Sequence, residues 1–367
     1  MRILQIVYSL KLGGAERFVV DLCNAQASDT KNEVYLLTIL DDSLYEAPNY
    51  YHDLSMNVQY RCVNAKKGGS LYTIFSICRY ILRIKPDIVH LHSNLILLYL
   101  PALFLSRAKY VHTLHSLADK VIFNKRFKNF QRFLYRKRVL PVTISDLCYK
   151  SFIKYYKLDR VVNINNGRSP VKTTDKIESV KQEISTYALP DIPIFIHVAR
   201  CSPEKNQQLL FQTFNELNNE GIRFLLLVLG GGFQDYIKKN MCSSIKILGP
   251  KNNVGDYLAC SEFFVLSSRW EGLPISLLEA MSQGCIPIST PAGGVVDVIE
   301  NGVNGYISKD VDKDSFKATI KLALKERGTI TRELIKKKYF MSYTMQKCVA
   351  EYDQVYHHLC KQSKKGK

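Results

Sequence analysis

Twice along its 367 residues the chain repeats one plan: an apolar β-type run, a short polar or glycine-bearing loop, then an amphipathic helix. The first half opens on "RILQIVY", a "GG" pair and a helical pattern from residue 15 to about 26, followed by "EVYLLTI", "VQYRCV", "DIVHLHS", "KYVHTLH" and "VLPVTIS". The second half restarts at "IPIFIHVARCSPEKNQQLLFQTFNEL" and continues through "FLLLVLGGG", "IKILGP", "FFVLSS" and "GCIPIST". Near-continuous apolar strands separated by helices predict parallel sheets covered on both faces. The fold class is therefore α/β, with two doubly wound domains facing across a cleft and ligands at the carboxyl ends of the strands. The polar stretch "NNGRSPVKTTDKIESVKQEISTYALPD" reads as a linker and first helix. It gives boundaries of 1–168, 169–341, and 342–367 for a C-terminal helix, possibly crossing back to the first domain, with a basic tail.

A hydrophobic content of 46% excludes a disordered chain, and 51 basic against 33 acidic residues leave a net charge of +18. Such a charge points to a polyanionic partner, nucleic acid or an acidic membrane surface. The ten cysteines are scattered singly with no CxxC pair, so a zinc knuckle is not expected. The start "MRILQIVYSLKLGGAER" lacks the pattern of a signal peptide. The longest apolar stretch, residues 95–105, is too short to span a bilayer and contains Pro101. These features predict a cytosolic protein with reduced thiols.

In "SSRWEGLPISLLEAMSQG", Glu271 and Glu279 stand at either end of "EGLPISLLE". Pro274 suits a first helical turn and Gly284 a stop, with Leu277, Leu278 and Met281 toward a core. At about 100° per residue, eight steps bring Glu279 within about 80° of the Glu271 direction. Both carboxylates then look into one cleft near unpaired helix N-terminal amides, or both are surface acids on a solvated helix. Arg200 and Lys205, in "ARCSPEKN", follow a strand, where they can reach a phosphate pair or stand as two solvated cations on an ordinary loop. Gly13 and Gly14 admit close backbone approach to a ligand or form a plain strand-to-helix turn; Gly231, within "GGG", carries the same two readings.

The ordered set "LGGAER", "HTLHS", "NNG", "ARCSPEKN", "LGGG", "SRWEGLPISLLEAMSQGCIPIST" and "GGVVDVIENGVNGYI" resembles the retaining glycosyltransferases of family 4, which have the GT-B architecture of two Rossmann-like domains. The resemblance implies transfer of a sugar from a nucleotide-diphosphate sugar, UDP being the commonest nucleotide. In the family's Glu-x7-Glu motif, Glu271 would hydrogen-bond the transferred sugar and Glu279 the ribose, with Gly272 and Leu273 turning amides toward the donor. Arg200 and Lys205 would bind the diphosphate and stabilise its departure. His115 would approach the reaction centre from the acceptor side, and Asn166 with Gly167 matches a hinge element. "NNGRSP" departs from the valine and aspartate that often follow that glycine. No Asp-x-Asp lies on a strand end, and "DD" at Asp41 and Asp42 falls in a turn. Leaving-group charge is thus expected to be met by fixed cations, with no metal and no cofactor. The neighbouring His90, His92 and His112 read as structural.

Residues 124–140 carry seven basic residues and no acid, with Phe127, Phe130, Phe133 and Leu134 at helical spacing. This is the composition of a basic amphipathic helix at an anionic membrane surface, or of a core helix with a solvated basic face. Residues 71–85 form a second candidate, its apolar face expected in the core. Together they suggest a lipid-linked glycan acceptor, surface-polysaccharide or lipopolysaccharide synthesis, and a peripheral site at the cytoplasmic face of the membrane. The rivals are a basic nucleic-acid-binding protein, for which no recognition element stands out, and a nonenzymatic nucleotide-sugar sensor of the same fold.

Overall fold

In a computed structural model of the chain, the structure describes residues 1–40, 49–65, 70–92, 96–121, 125–187, 190–237 and 241–362. Asp41, Asp42, Asn124 and the last five residues of the basic tail lie outside them. The chain divides into two compact units, Met1–Arg168 with Met345–Lys367, and Ser169–Thr344.

The first unit runs β1 (Arg2–Val7), α1 (Gly14–Ala27), β2 (Glu33–Thr38), β3 (Val58–Cys62), α2 (Leu71–Ile84), β4 (Ile88–Leu91), α3 (Leu100–Leu105) and β5 (Lys109–Leu114). It continues through α4 (Ala118–Val121), α5 (Lys128–Lys137), β6 (Val139–Thr143), α6 (Asp146–Tyr156) and β7 (Val162–Asn163). All seven strands are parallel in the order β3-β2-β1-β4-β5-β6-β7. The order reverses at β1 and β4, the place where a doubly wound sheet opens a ligand crevice.

The second unit holds α7 (Ile177–Ser185), β8 (Ile194–Val198), α8 (Gln207–Asn219), β9 (Leu225–Leu229), α9 (Gln234–Ile237), β10 (Ile245–Gly249) and α10 (Val254–Ala259). Next come β11 (Phe263–Leu266), α11 (Ile275–Ser282), β12 (Ile286–Ser289), β13 (Tyr306–Ile307), α12 (Lys313–Lys325) and α13 (Arg332–Ser342). Its parallel sheet has the order β10-β9-β8-β11-β12-β13.

The last helix, α14 (Met345–Gln362), packs on α1. Its buried Tyr352 and Tyr356 explain why it docks there: their hydroxyls meet Thr113 Oγ1 at 2.8 Å and His90 Nδ1 at 2.6 Å. Period-two alternation sorts the first sheet. Leu4, Ile6, Val89, Leu91, Tyr110 and Leu114 join α2, α3, α5 and α6 in one core, while Gln5, His90 and Thr113 point to the opposite face.

Three sequence expectations change. Residues 124–140 are not one helix: a 3-10 turn precedes α5, and Val139 and Leu140 enter β6 because that strand is needed to pair with β5. The predicted apolar stripe splits, with Leu134 fully buried and Phe127, Phe130 and Phe133 exposed. Pro274 lies outside α11, an extended N-cap at ψ 126°, because the chain is still turning from Glu271 into the helix; Gly284 ends it at φ +82° as expected. The apolar residues of α2 form two faces. Ile77 and Ile81 are fully buried, but Leu71 and Phe75 are 85% and 63% exposed.

No helix among the described residues is long and apolar enough to cross a membrane. All ten cysteines are free thiols.

Candidate active site

In the second unit the site is assembled at the carboxyl ends of β8 and β11. After β8 the chain turns through Arg200 and Lys205, and Asn206 in the left-handed region at φ +51° starts α8. The Lys205 ammonium meets Glu271 Oε1 at 2.6 Å, and the same oxygen accepts from Ser268 Oγ at 2.6 Å. Two more bonds tie these loops together: Ser267 Oγ donates to the Lys205 carbonyl at 2.9 Å, and the Arg269 amide to the Glu204 carbonyl at 2.8 Å. Glu271 is only 8% exposed, so the charge-assisted bonds act where water screens them little.

Gly293 fixes the Glu271 backbone. Its φ of +63° suits glycine, and a Cβ there would lie 1.9 Å from the Glu271 carbonyl oxygen. The Gly294 amide donates to the Gly272 carbonyl at 2.8 Å, completing a clamp on the loop that carries the first glutamate. Glu279 sits on α11, half-buried, with Leu277 and Leu278 behind it in the core. Leu273 is buried and Gly272 half-buried in the turn into that helix.

Arg200 is exposed and reaches Glu204 at 3.4 Å. Its carbonyl is held by Gln207 Nε2 at 2.9 Å, so the loop is anchored while the guanidinium stays at the surface. Of the three consecutive glycines, steric demand falls on Gly230, at φ +135° with a virtual Cβ 1.9 Å from the Ala199 carbonyl, and on Gly232 at φ +88°. A Cβ at Gly231 would meet nothing within 4 Å, although its carbonyl accepts from the Cys201 amide at 2.8 Å. Gly231, the candidate named from the sequence, is therefore the glycine of the three that the backbone constrains least.

In the first unit, His115 follows β5, half-buried, with its ring edge-on to Phe18 at 5.5 Å. His115 Nε2 lies 3.0 Å from His92 Nδ1, His92 Nε2 lies 2.7 Å from Gln5 Oε1, and Gln5 Nε2 donates to Gln26 Oε1 at 2.8 Å. A neutral imidazole has one donor and one acceptor, and the Gln5 carbonyl only accepts. His92 must then donate from Nε2, its Nδ1 accepts, and His115 donates from Nε2. Burial keeps both rings neutral, moving His92 well below its ordinary pKa and His115 to about 3, with the nearby imidazoles adding to both shifts. The His115 Nδ1 lone pair is thereby left as a hydrogen-bond acceptor. His92 is a positioning residue that the sequence reading classed as structural; the H-x-H of "IVHLH" was the available signal, since period two puts His90 and His92 on one face.

Gly13 caps α1 with extended backbone at φ −168°, and the Glu16 carboxylate folds over it, 2.2 Å from where a Cβ would stand. Gly14 is the exposed first residue of α1. Asn166 is buried just before the unit boundary, its amide 3.4 Å from the Ile144 carbonyl.

Known proteins match the chain along most of its length. The family model for glycosyl transferases group 1 matches residues 182–339, and that for glycosyltransferase family 4 matches residues 12–170. A glycogen synthase of Fusobacterium nucleatum is 25% identical over 76% of this chain and 73% of its own length. The UDP-Gal:alpha-D-GlcNAc-diphosphoundecaprenol alpha-1,3-galactosyltransferase of Escherichia coli is 25% identical over 70% of each chain. The crystal structure of Anabaena Alr3699/HepE in complex with UDP and glucose superposes with a TM-score of 0.78 at 18% identity, covering 98% of this chain and all of the other.

Proposed function

The chain belongs to the family 4 glycosyltransferases of GT-B fold, and on that footing we propose that it moves a sugar from a UDP-sugar to a lipid-linked glycan acceptor, with retention at the anomeric carbon. The observation that carries this reading is the partly buried Lys205–Glu271 pair at 2.6 Å. An ammonium has three donors, and Lys205 gives one to Glu271, keeping others for the oxygens of a diphosphate. Glu271 takes both bonds on Oε1, and Oε2 is assigned as the acceptor for sugar hydroxyls. Arg200 adds a second cation at the same strand edge. Charge on the departing UDP is then met by fixed groups without a metal. Glu279, one turn into α11, takes the ribose hydroxyls, with the amides around Gly272 and Leu273 and the backbone at Gly231 on the same donor.

The acceptor belongs to the first unit, with His115 and the hinge residue Asn166, while Gly13 and Gly14 are kept for close backbone approach to the donor. His115 offers an acceptor nitrogen, which suits a hydroxyl and not a phosphate oxygen. The lipid-linked acceptor and a role in surface-polysaccharide synthesis draw support from the diphosphoundecaprenol-linked substrate named for the Escherichia coli relative and from the basic, acid-free helix α5. Work at the cytoplasmic face of a membrane follows from the same features.

The test is turnover: UDP release from a panel of UDP-sugars in the presence of a diphospholipid-linked sugar, with the anomeric configuration of the product read by NMR. Lys205→Ala should lower kcat about 10²–10³-fold, the usual cost of removing a group that stabilises developing charge. Chelation should leave the wild-type rate unchanged. A product of inverted configuration, or activity lost on chelation and restored by a divalent cation, would overturn the corresponding part of the reading.

A further inference from the structure

The outer face of α2 is apolar where a solvated helix should be polar. Its inner face is complete without it, since Ile77 and Ile81 already fill the core. Leu71, Phe75, Cys78 and Leu82 line a second stripe, which with Pro101 and Leu105 of α3 encloses an open groove of about 610 Å³. Leu105 is 66% exposed, and Phe104 next to it in the chain and Tyr72 on α2 are exposed as well. A contiguous exposed apolar patch of this kind marks a contact surface.

Charge identifies the partner. Residues 71–85 and 96–109 contain no acid, and Arg79 and Arg83 stand on the groove wall one turn apart. The Arg138 guanidinium at the end of α5 stacks on Phe104 at 5.2 Å, joining this face to the acid-free helix α5 with its exposed Phe130 and Phe133. Because α2, α3 and α5 cover one face of the first sheet, the three helices present a single surface, apolar at α2–α3 and cationic around it. A protein partner would need an apolar ridge ringed by acids. A bilayer of anionic lipid has that composition everywhere.

We propose that this face docks on an anionic bilayer, with Leu71, Phe75 and Leu105 entering the acyl boundary and Arg79 and Arg83 on the lipid phosphates. α2 starts at the carboxyl edge of the strands, the edge that carries His115, so docking brings lipid to the acceptor side of the first unit. The proposal deepens the lipid-linked acceptor reading but does not require catalysis. It moves the apolar anchor from α5 to the α2–α3 groove and leaves α5 as a source of charge.

The experiment is co-sedimentation of the full chain with vesicles containing phosphatidylglycerol and with vesicles of phosphatidylcholine alone. Binding is expected only to the anionic vesicles, weakening as salt rises. Arg79→Gln and Arg83→Gln should each weaken partitioning about five-fold. Phe75→Ser with Leu105→Ser should abolish it while UDP release with a short soluble acceptor is kept. Phe75→Trp should shift its emission to the blue on binding and be quenched by brominated lipid. Wild-type vesicle binding by the Phe75→Ser/Leu105→Ser variant would overturn the proposal. So would absence of binding, or a dimer in solution that Phe75→Ser dissociates. Absence of vesicle binding by the wild-type chain, with its sugar transfer intact, would remove this inference alone.

Discussion

At the scale of residues, function rests on groups whose direction is set by their neighbours. The chain from Gln26 through Gln5 and His92 to His115 has a definite polarity, because each amide or imidazole passes on one donor and one acceptor. Gln26 Nε2 and Asp353 Oδ1 are buried without a partner at hydrogen-bond geometry. Burial raises the Asp353 pKa, and the Gln26 carbonyl oxygen faces Gln5, from whose Nε2 it accepts at 2.8 Å. Long-range ¹H–¹⁵N correlation spectra should therefore show His115 protonated at Nε2 and neutral down to about pH 3. A proton on Nδ1 would reverse the chain and make His115 a donor to substrate. Gly293→Ala is the matching backbone test. Positive φ and a Cβ 1.9 Å from the Glu271 carbonyl should cost at least about 1 kcal/mol of stability and weaken donor binding, read by thermal melts with and without UDP. Gly231→Ala, with open space around its Cβ, should do neither.

At the scale of elements, what the sequence reveals depends on how many partners an element has. Strands such as "FLLLVL", buried on both faces, announce themselves by composition alone, and β9 is buried from end to end. Helix α11 was equally readable because Leu277, Leu278 and Gly284 mark its core face and its end. α2 defeated the reading because two apolar faces on one helix give the same composition as one broad buried face, and only packing separates them. α5 was overextended since basic and apolar residues continue without a break into β6. The link from His92 to His115 is not legible in the sequence because its partner lies 23 residues away, just after the neighbouring strand. The two faces of α2 give a direct test. Ile77→Ala should destabilise by about 2–5 kcal/mol, as buried truncations do, whereas Phe75→Ser should leave the melting temperature within about 1 °C. Equal losses at both positions would mean the outer face is covered by protein.

At the scale of the molecule, each unit is a separate parallel sheet with its own core, and their responses to acid should differ. Burial depresses the pKa of His90, His92 and His115 in the first unit and of His197 in the second, the last to about 4. Below about pH 6.5 the unfolded chain binds protons that these native histidines refuse, so stability falls as pH falls, by up to about 1.4 kcal/mol per unit for each group. With three such groups against one, the calorimetric transition of the first unit should drop faster than that of the second between about pH 6.5 and 5, above the range of the carboxylates. Parallel shifts would mean that the buried imidazoles titrate in the native state.

The account as a whole depends on the second unit holding a nucleotide diphosphate between Lys205 and α11. The most direct measurement is the melting temperature of the purified chain with UDP, GDP, ADP and CMP, repeated on Glu279→Ala and Lys205→Ala. UDP at a hundred times its dissociation constant should stabilise the wild type by about 2.7 kcal/mol, and both variants should lose most of that gain. No shift with any diphosphate, or a full shift in both variants, would contradict the assignment of this site to the donor.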